Sequence, residues 1–202
     1  MYWKIATVAA LFGVLAWAKI RVTVQTHKDQ DAVDDFWDRE EQANFTRKKD
    51  LEHLDYIHIP DDLPIDLIKD HTEYEGIKKT IDNLKSERIL NLTGLTNTDL
   101  KYEYGVANLD TVSKYDENYT AMVTTLQKLA DILLSLSHEE EAVKVLEFMV
   151  STNVDIKKTY RLLGQYYLNT FQREKYEDLI KKAEALNSIN KPYIIQMLRE
   201  LN

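Results

Sequence analysis

The stretch YRLLGQYYLN, residues 160–169, decides the fold of this chain, because it reads as an amphipathic helix with a glycine in its middle. A glycine inside a helix costs about 0.8–1.0 kcal/mol relative to alanine. We interpret Gly164 as the point where another helix crosses so closely that only a very small residue fits. A crossing of this kind is typical of a hairpin of two packed helices.

The pattern around Gly164 also occurs 34 residues earlier in the chain. The aligned pairs are Leu129 with Leu163, Ala130 with Gly164, Leu133 with Tyr167 and Leu146 with Ile180. Ala130 and Gly164 are both small, so we predict that they are equivalent packing positions in two stacked hairpins.

A period of 34 residues with two helices per unit is typical of the tetratricopeptide repeat, TPR. The region 117–189 resembles TPR units, because Leu163, Gly164 and Tyr167 match the L-G-x-x-Y pattern of the first helix. Tyr176 departs from the family, which has a small residue there, and the proline that closes each unit is missing. The resemblance implies a TPR-like α-solenoid that ends in a capping helix at 192–201. The alternative is a plain helical bundle with accidental periodicity.

The composition favours a folded, helical protein. The chain has 202 residues, of which 44% are hydrophobic and 30% charged, with only five glycines and three prolines. So few helix-breaking residues favour long helices, and we predict an all-α fold. The net charge of −8 argues against nucleic acid as a partner, because phosphate binding needs a basic surface. The absence of cysteine excludes disulfides, cysteine-ligated metals and thiol catalysis.

The N-terminal stretch YWKIATVAALFGVLAWAKIRVTV, residues 2–24, is the most apolar part of the chain. Its flanking lysines can extend their ammonium groups to lipid head groups, which brings the stretch to the roughly 20 residues that a spanning helix needs. We predict a single-pass membrane anchor. A cleaved signal peptide, which the AWA at 16–18 would suit, and a buried core helix remain alternatives. The positive charges on the two sides of this stretch nearly balance, so they do not decide on which side of the membrane the rest of the chain lies. We slightly favour the side outside the cytoplasm.

Local patterns divide the chain into four regions. These are a transmembrane anchor at 1–24, a helical stalk at 25–53, a strap with short helices at 54–97 and a TPR-like helical domain at 98–202. We predict that the stalk helix covers 29–50 and that short helices cover 65–70 and 74–87. Two pairs, Thr96 with Asp99 and Ser137 with Glu140, fit the capping-box pattern and predict helix starts there.

No catalytic or metal-binding motif stands out in the sequence. The histidines lack the spacing of a zinc site, and we predict no metal, no cofactor and no catalytic residue. The alternative function is an envelope-associated hydrolase that uses carboxylates of residues 54–75, such as Asp61 and Asp62. A third possibility is a structural subunit whose strap binds a partner by strand addition.

The TPR-like interpretation predicts a concave face formed by the first helix of each unit. The side chains expected there are Gln127, Asp131, Ser135, Lys158, Arg161, Gln165 and Asn169. Arginine and amide groups suit an extended peptide, and the alternative is that these positions are only solvated. As a whole, the chain resembles N-terminally anchored proteins of Gram-positive anaerobes, through segments such as LDYIHIP and KVLEFMVS. We therefore predict a membrane-tethered scaffold or adaptor that binds another protein and has no catalytic activity.

Overall fold

The structure is a computed structural model that describes residues 32–201 together with Trp17, Arg21 and Gln30. Every regular element among these residues is helical, which confirms the predicted all-α class. In chain order the helices are α1 (32–44), α2 (Tyr74–Lys85), α3 (Asn97–Tyr104), α4 (Leu109–Ser135), α5 (Glu139–Ser151), α6 (Lys157–Asn169), α7 (Arg173–Ala185) and α8 (Lys191–Leu201). Two short 3-10 helices lie at Pro64–Ile68 and Val106–Asn108.

The predicted membrane anchor lies outside the described residues, apart from Trp17 and Arg21. Of the helices in the described part of the chain, none combines the length and the apolar character needed to cross a bilayer.

Helix α1 ends at residue 44, six residues before the end expected for the stalk helix at 29–50. Its last turn packs on α3, where Ala43 is fully buried. The Glu40 carboxylate accepts hydrogen bonds from Thr98 Oγ1 at 2.6 Å and from Lys101 Nζ. Arg39 Nη2 lies 2.5 Å from Asp99 Oδ1. The predicted stalk is therefore fixed to the helical body at its C-terminal end.

The strap and α2 follow the sequence pattern. Residues 55–60 lie outside any helix or turn, the Ile57 N–H donates to the Ile89 carbonyl at 2.9 Å, and Ile59 is buried. Pro64 opens a 3-10 helix, which suits its fixed φ. The buried stripe of α2 contains Ile77, Ile81 and Leu84, at the helical spacing visible in the sequence.

Of the two predicted capping boxes, only the first forms. Thr96 and Asp99 cap α3 reciprocally, as the pattern indicated. The prediction for Ser137 and Glu140 is wrong, because α5 starts without a side-chain cap and Ser137 has a φ of 64°. The Ser137 N–H donates to the Leu134 carbonyl at 3.1 Å and the His138 N–H to the Leu133 carbonyl at 2.9 Å. This is a Schellman motif, so Ser137 ends α4 instead of starting α5.

The helices from α4 to α8 keep a register of 34 residues. Helix α5, Glu139–Ser151, and helix α7, Arg173–Ala185, start and end 34 residues apart. The same offset separates the ends of α4 and α6, at Ser135 and Asn169, and the starts of α6 and α8, at Lys157 and Lys191. The joint between α6 and α7 also repeats, because Phe171 has a φ of 58° and lies 34 residues after Ser137.

Ala130 and Gly164 both lie in the main hydrophobic core. Ala130 is fully buried, and Gly164 is buried as well. A Cβ atom on Gly164 would lie 3.0 Å from Leu198 Cδ2, 3.3 Å from Leu201 Cδ1 and 3.3 Å from Tyr176 Cε2. The close approach is thus made by side chains of two helices, α8 and α7, whereas the sequence interpretation placed it within one hairpin.

Candidate functional site

The seven side chains predicted for the concave face lie along α4 and α6, and we call them the α4/α6 face. Gln127 and Asp131 are partly buried, whereas the exposed members are Ser135, Lys158, Arg161, Gln165 and Asn169. The face divides into two parts, one that holds the two helices together and one that is open to solvent.

The first part is a hydrogen-bonded cluster between α4 and α6. Lys158 Nζ lies 2.6 Å from Asp131 Oδ2, and Gln127 Nε2 donates to Asp131 Oδ1 at 3.1 Å. The hydroxyl of Thr159, which is fully buried, donates to Gln127 Oε1 at 2.7 Å. Each polar atom in this cluster thus has a partner inside the protein, and the cluster fixes α6 against α4.

The second part is a row on α6 formed by Arg161, Gln165 and Asn169. The three residues are spaced by four, so their side chains follow one another along the same side of the helix. Within residues 32–201, none of these side chains takes part in a hydrogen bond or salt bridge. Ser135 differs, because its hydroxyl donates to the Ile132 carbonyl of its own helix at 2.7 Å. The row is the part of the face whose donors and acceptors can bind a partner.

A cavity of about 290 Å³ lies between α5, α6 and α7, and the sequence reasoning missed it. Buried side chains of Val150, Leu163 and Leu179 form its apolar lining. On its polar side, Glu147 Oε1 accepts a hydrogen bond from the Tyr167 hydroxyl at 2.7 Å and from Lys175 Nζ at 3.0 Å. Glu147 occurs among apolar residues in KVLEFMV, and that isolated charge was the only signal available.

Two groups in this cavity, Glu147 and Tyr167, have shifted pKa values. Burial acts to raise the pKa of Glu147, but hydrogen bonds from Tyr167 and Lys175 outweigh it and hold that pKa below its usual value. Burial, and then the adjacent Glu147, raise the pKa of Tyr167. A charged carboxylate beside a neutral phenol and a lysine is a stable ion-pair arrangement, which links α5 to α6 and α7.

The carboxylates of the strap region lie on the surface. The side chain of Asp61 is 98% exposed and pairs with Lys85 Nζ at 2.9 Å, which lowers the pKa of Asp61. Asp62 is also exposed, and Asp66 accepts a hydrogen bond from the Tyr74 hydroxyl at 3.1 Å. Within the part of the chain that the structure describes, no group of three histidine or acidic side chains could hold a metal ion.

No known protein family, curated protein or solved structure matches this chain.

Proposed function

We propose that this chain is a membrane-tethered scaffold or adaptor that binds another protein through a TPR-like helical array. The observation that supports it most is the 34-residue register of α4 to α8, in which helix ends and left-handed joints recur at the same offset. Stacked helical hairpins of this period form extended surfaces suited to binding peptides.

The open row on α6 is the proposed contact surface. Arg161 offers a planar guanidinium that can bind a carboxylate through two hydrogen bonds. Gln165 and Asn169 each offer a donor and an acceptor that match the N–H and C=O groups of an extended peptide. The partner of this row is therefore an extended segment of another protein that carries an acidic side chain near its Arg161 contact.

Site-specific photocrosslinking tests this contact in membranes of the native cells. A photoreactive residue placed at Gln165 should give a discrete crosslinked species, and the same residue at Lys181, exposed on α7, should not. Adding Arg161→Glu to the Gln165 probe should remove the species, whereas adding Lys181→Glu should leave it. Lys158→Glu is a poorer choice, because it also breaks the ion pair with Asp131.

Equal crosslinking from Gln165 and Lys181, or a species that survives Arg161→Glu, would contradict the proposed use of the row.

The membrane tether is tested separately. With residues 2–24 retained as an anchor, the chain should stay in the membrane fraction after alkaline extraction at its full mass. A shorter mature chain would indicate a cleaved signal peptide. Protease treatment of intact cells then decides on which side the body lies.

A further inference from the structure

Helix α1 presents a cluster of large apolar side chains to solvent. Val33, Phe36 and Trp37 are 51%, 53% and 62% exposed. The rings of Phe36 and Trp37 meet edge to face, with centroids 5.4 Å apart and planes at 75°. Residues at these spacings share one side of a helix. We call these three side chains the α1 face.

The described helices of the body do not cover the α1 face. In the described part of the chain, the side-chain hydrogen bonds from α1 to other helices come from Arg39, Glu40 and Gln42. These residues and Ala43 form the last turn of α1, which packs on α3. The two preceding turns, which carry the α1 face, extend beyond this contact.

Carboxylates lie beside the α1 face and on the opposite side of the same helix. Asp34, Asp35, Asp38 and Glu41 are all exposed on the same helix. Asp34 lies three residues before Trp37 and Glu41 four residues after it, so helical geometry puts both beside that ring. The one cation among residues 32–44 is Arg39, and Asp99 of α3 binds it.

We propose that the α1 face binds an amphipathic helix of a partner protein whose flanks are rich in lysine and arginine. Exposed clusters of aromatic side chains are uncommon on isolated proteins and mark interaction sites, and tryptophan contributes strongly to binding energy in such sites. The apolar side of the partner helix packs on Phe36 and Trp37. Its basic flank pairs with Asp34 and Glu41.

Charge separates this partner from two other occupants. A second copy of the chain would bring four more exposed carboxylates to the four exposed on α1, and like charges across an interface oppose association. An anionic bilayer would be repelled in the same way. A basic amphipathic helix satisfies both the apolar and the acidic parts of the surface.

The fluorescence of Trp37 provides a direct test. The full chain has three tryptophans, so Trp3→Phe/Trp17→Phe leaves Trp37 as the only reporter. With this protein in discs of zwitterionic lipid, a synthetic amphipathic helix of leucine and lysine should shift the emission to shorter wavelength, saturably and less strongly as salt increases. A peptide of the same composition in scrambled, non-amphipathic order should cause no saturable shift.

Matched variants assign the effect to the α1 face. Measured with labelled peptide, Trp37→Ala should weaken binding at least tenfold, and Phe171→Ala, which removes a 94% exposed ring elsewhere, should leave it unchanged. Asp34→Asn/Glu41→Gln should weaken binding and flatten its salt dependence, whereas Glu139→Gln/Glu140→Gln should not.

Three results would overturn the proposal. In the first, Trp37→Ala and Phe171→Ala weaken peptide binding equally. In the second, anionic vesicles shift the Trp37 emission and the peptide does not. In the third, the emission shifts with the concentration of the protein itself, without peptide. The α1 face shares no residue with the row on α6, so Arg161→Glu should leave peptide binding unchanged. The two proposals can therefore fail independently.

Discussion

Gly164 lies where a ring of α7 and two leucines of α8 come within 3.0–3.3 Å of the position that a Cβ atom would take. The nearest atom to a Cβ there would be Leu198 Cδ2, at 3.0 Å. Leu198 is fully buried, and its backbone carbonyl accepts a hydrogen bond from the Tyr176 hydroxyl. Because α8 is held in this way, it has little freedom to move aside for a larger residue at position 164.

We therefore expect Gly164→Ala to lower the free energy of unfolding by about 1 kcal/mol, because overpacking costs about 1–3 kcal/mol and exceeds the gain in helix propensity. Gly76→Ala is the matched control, since a Cβ at that position in α2 would have nothing within 4 Å. This control should stabilise the protein by up to about 1 kcal/mol. Urea unfolding measures both, and a Gly164→Ala variant as stable as Gly76→Ala would contradict the close packing.

Ser137 has the left-handed conformation that glycine adopts without strain, with a φ of 64°. We expect Ser137→Gly to raise the free energy of unfolding by about 0.5–1 kcal/mol. The left-handed conformation costs residues other than glycine roughly 1–2 kcal/mol. Glycine avoids this cost, but its greater freedom in the unfolded chain offsets part of the gain. Ser137→Ala should change stability little. If Ser137 capped α5, the change to alanine would instead lower the free energy of unfolding by about 1 kcal/mol. Urea unfolding of the two variants therefore shows whether Ser137 ends α4 or caps α5.

At the scale of elements, Glu147 links three helices, because its carboxylate on α5 binds Tyr167 of α6 and Lys175 of α7. Its pKa in the folded protein lies below the ordinary value of 4.5, an outcome of these hydrogen bonds against the effect of burial. A lowered folded-state pKa adds stability above the unfolded pKa, and that stability disappears as the pH falls through the folded pKa.

Glu147→Gln should accordingly be less stable than the native chain at pH 7, and the difference should shrink as the pH falls through the lowered folded-state pKa of Glu147, because the native carboxylate then becomes protonated as well. Urea unfolding over a pH series measures this difference. Glu103→Gln, at an exposed position on α3, serves as control and should differ little from the native chain in stability at pH 7. A difference for Glu147→Gln that does not change with pH would contradict the charged link.

For the whole molecule, buried tyrosines predict unfolding at high pH. Burial raises the pKa of Tyr119 to about 12 and also raises the pKa of Tyr160 and Tyr167. Unfolded tyrosines ionise near pH 10. Above that pH, the unfolded chain loses protons that the folded chain keeps, and stability falls by about 1.4 kcal/mol per pH unit for each such group.

Three such groups give a loss of roughly 4 kcal/mol per pH unit between pH 10 and 12. Tyrosinate absorbance and helical circular dichroism should therefore change together in one cooperative step after the exposed rings have titrated. Tyr119→Phe should shift that step to higher pH. Titration of all tyrosines near pH 10 with intact helices would contradict the prediction.

Local patterns in the sequence predicted much of this molecule, and contacts between distant segments explain the rest. The spacing of Ile77, Ile81 and Leu84 was sufficient to predict α2, because a buried helix face has a fixed period. The pattern at Ser137 failed because a serine can serve either end of a helix, and hydrogen bonds back to α4 decide which. The cavity around Glu147 depends on three helices, and no period in the sequence reports such a meeting.

The proposed site also depends partly on local spacing, which the sequence shows, and partly on contacts between helices, which it does not. The exposed row on α6 follows from helical spacing, so the sequence could indicate Arg161, Gln165 and Asn169. Whether a polar residue is free or already bound depends on its neighbour across the helix pair. The sequence therefore grouped Lys158 with the open row, whereas the structure pairs it with Asp131 of α4.

A methyl group at position 164 would lie only 3.3 Å from the ring of Tyr176. The positions 34 residues earlier hold Ala130 and Ala142, which are both small and fully buried. A bulky residue at 176 is therefore tolerated best where position 164 has no side chain. We expect a homologous chain with alanine at 164 to carry a smaller residue at 176.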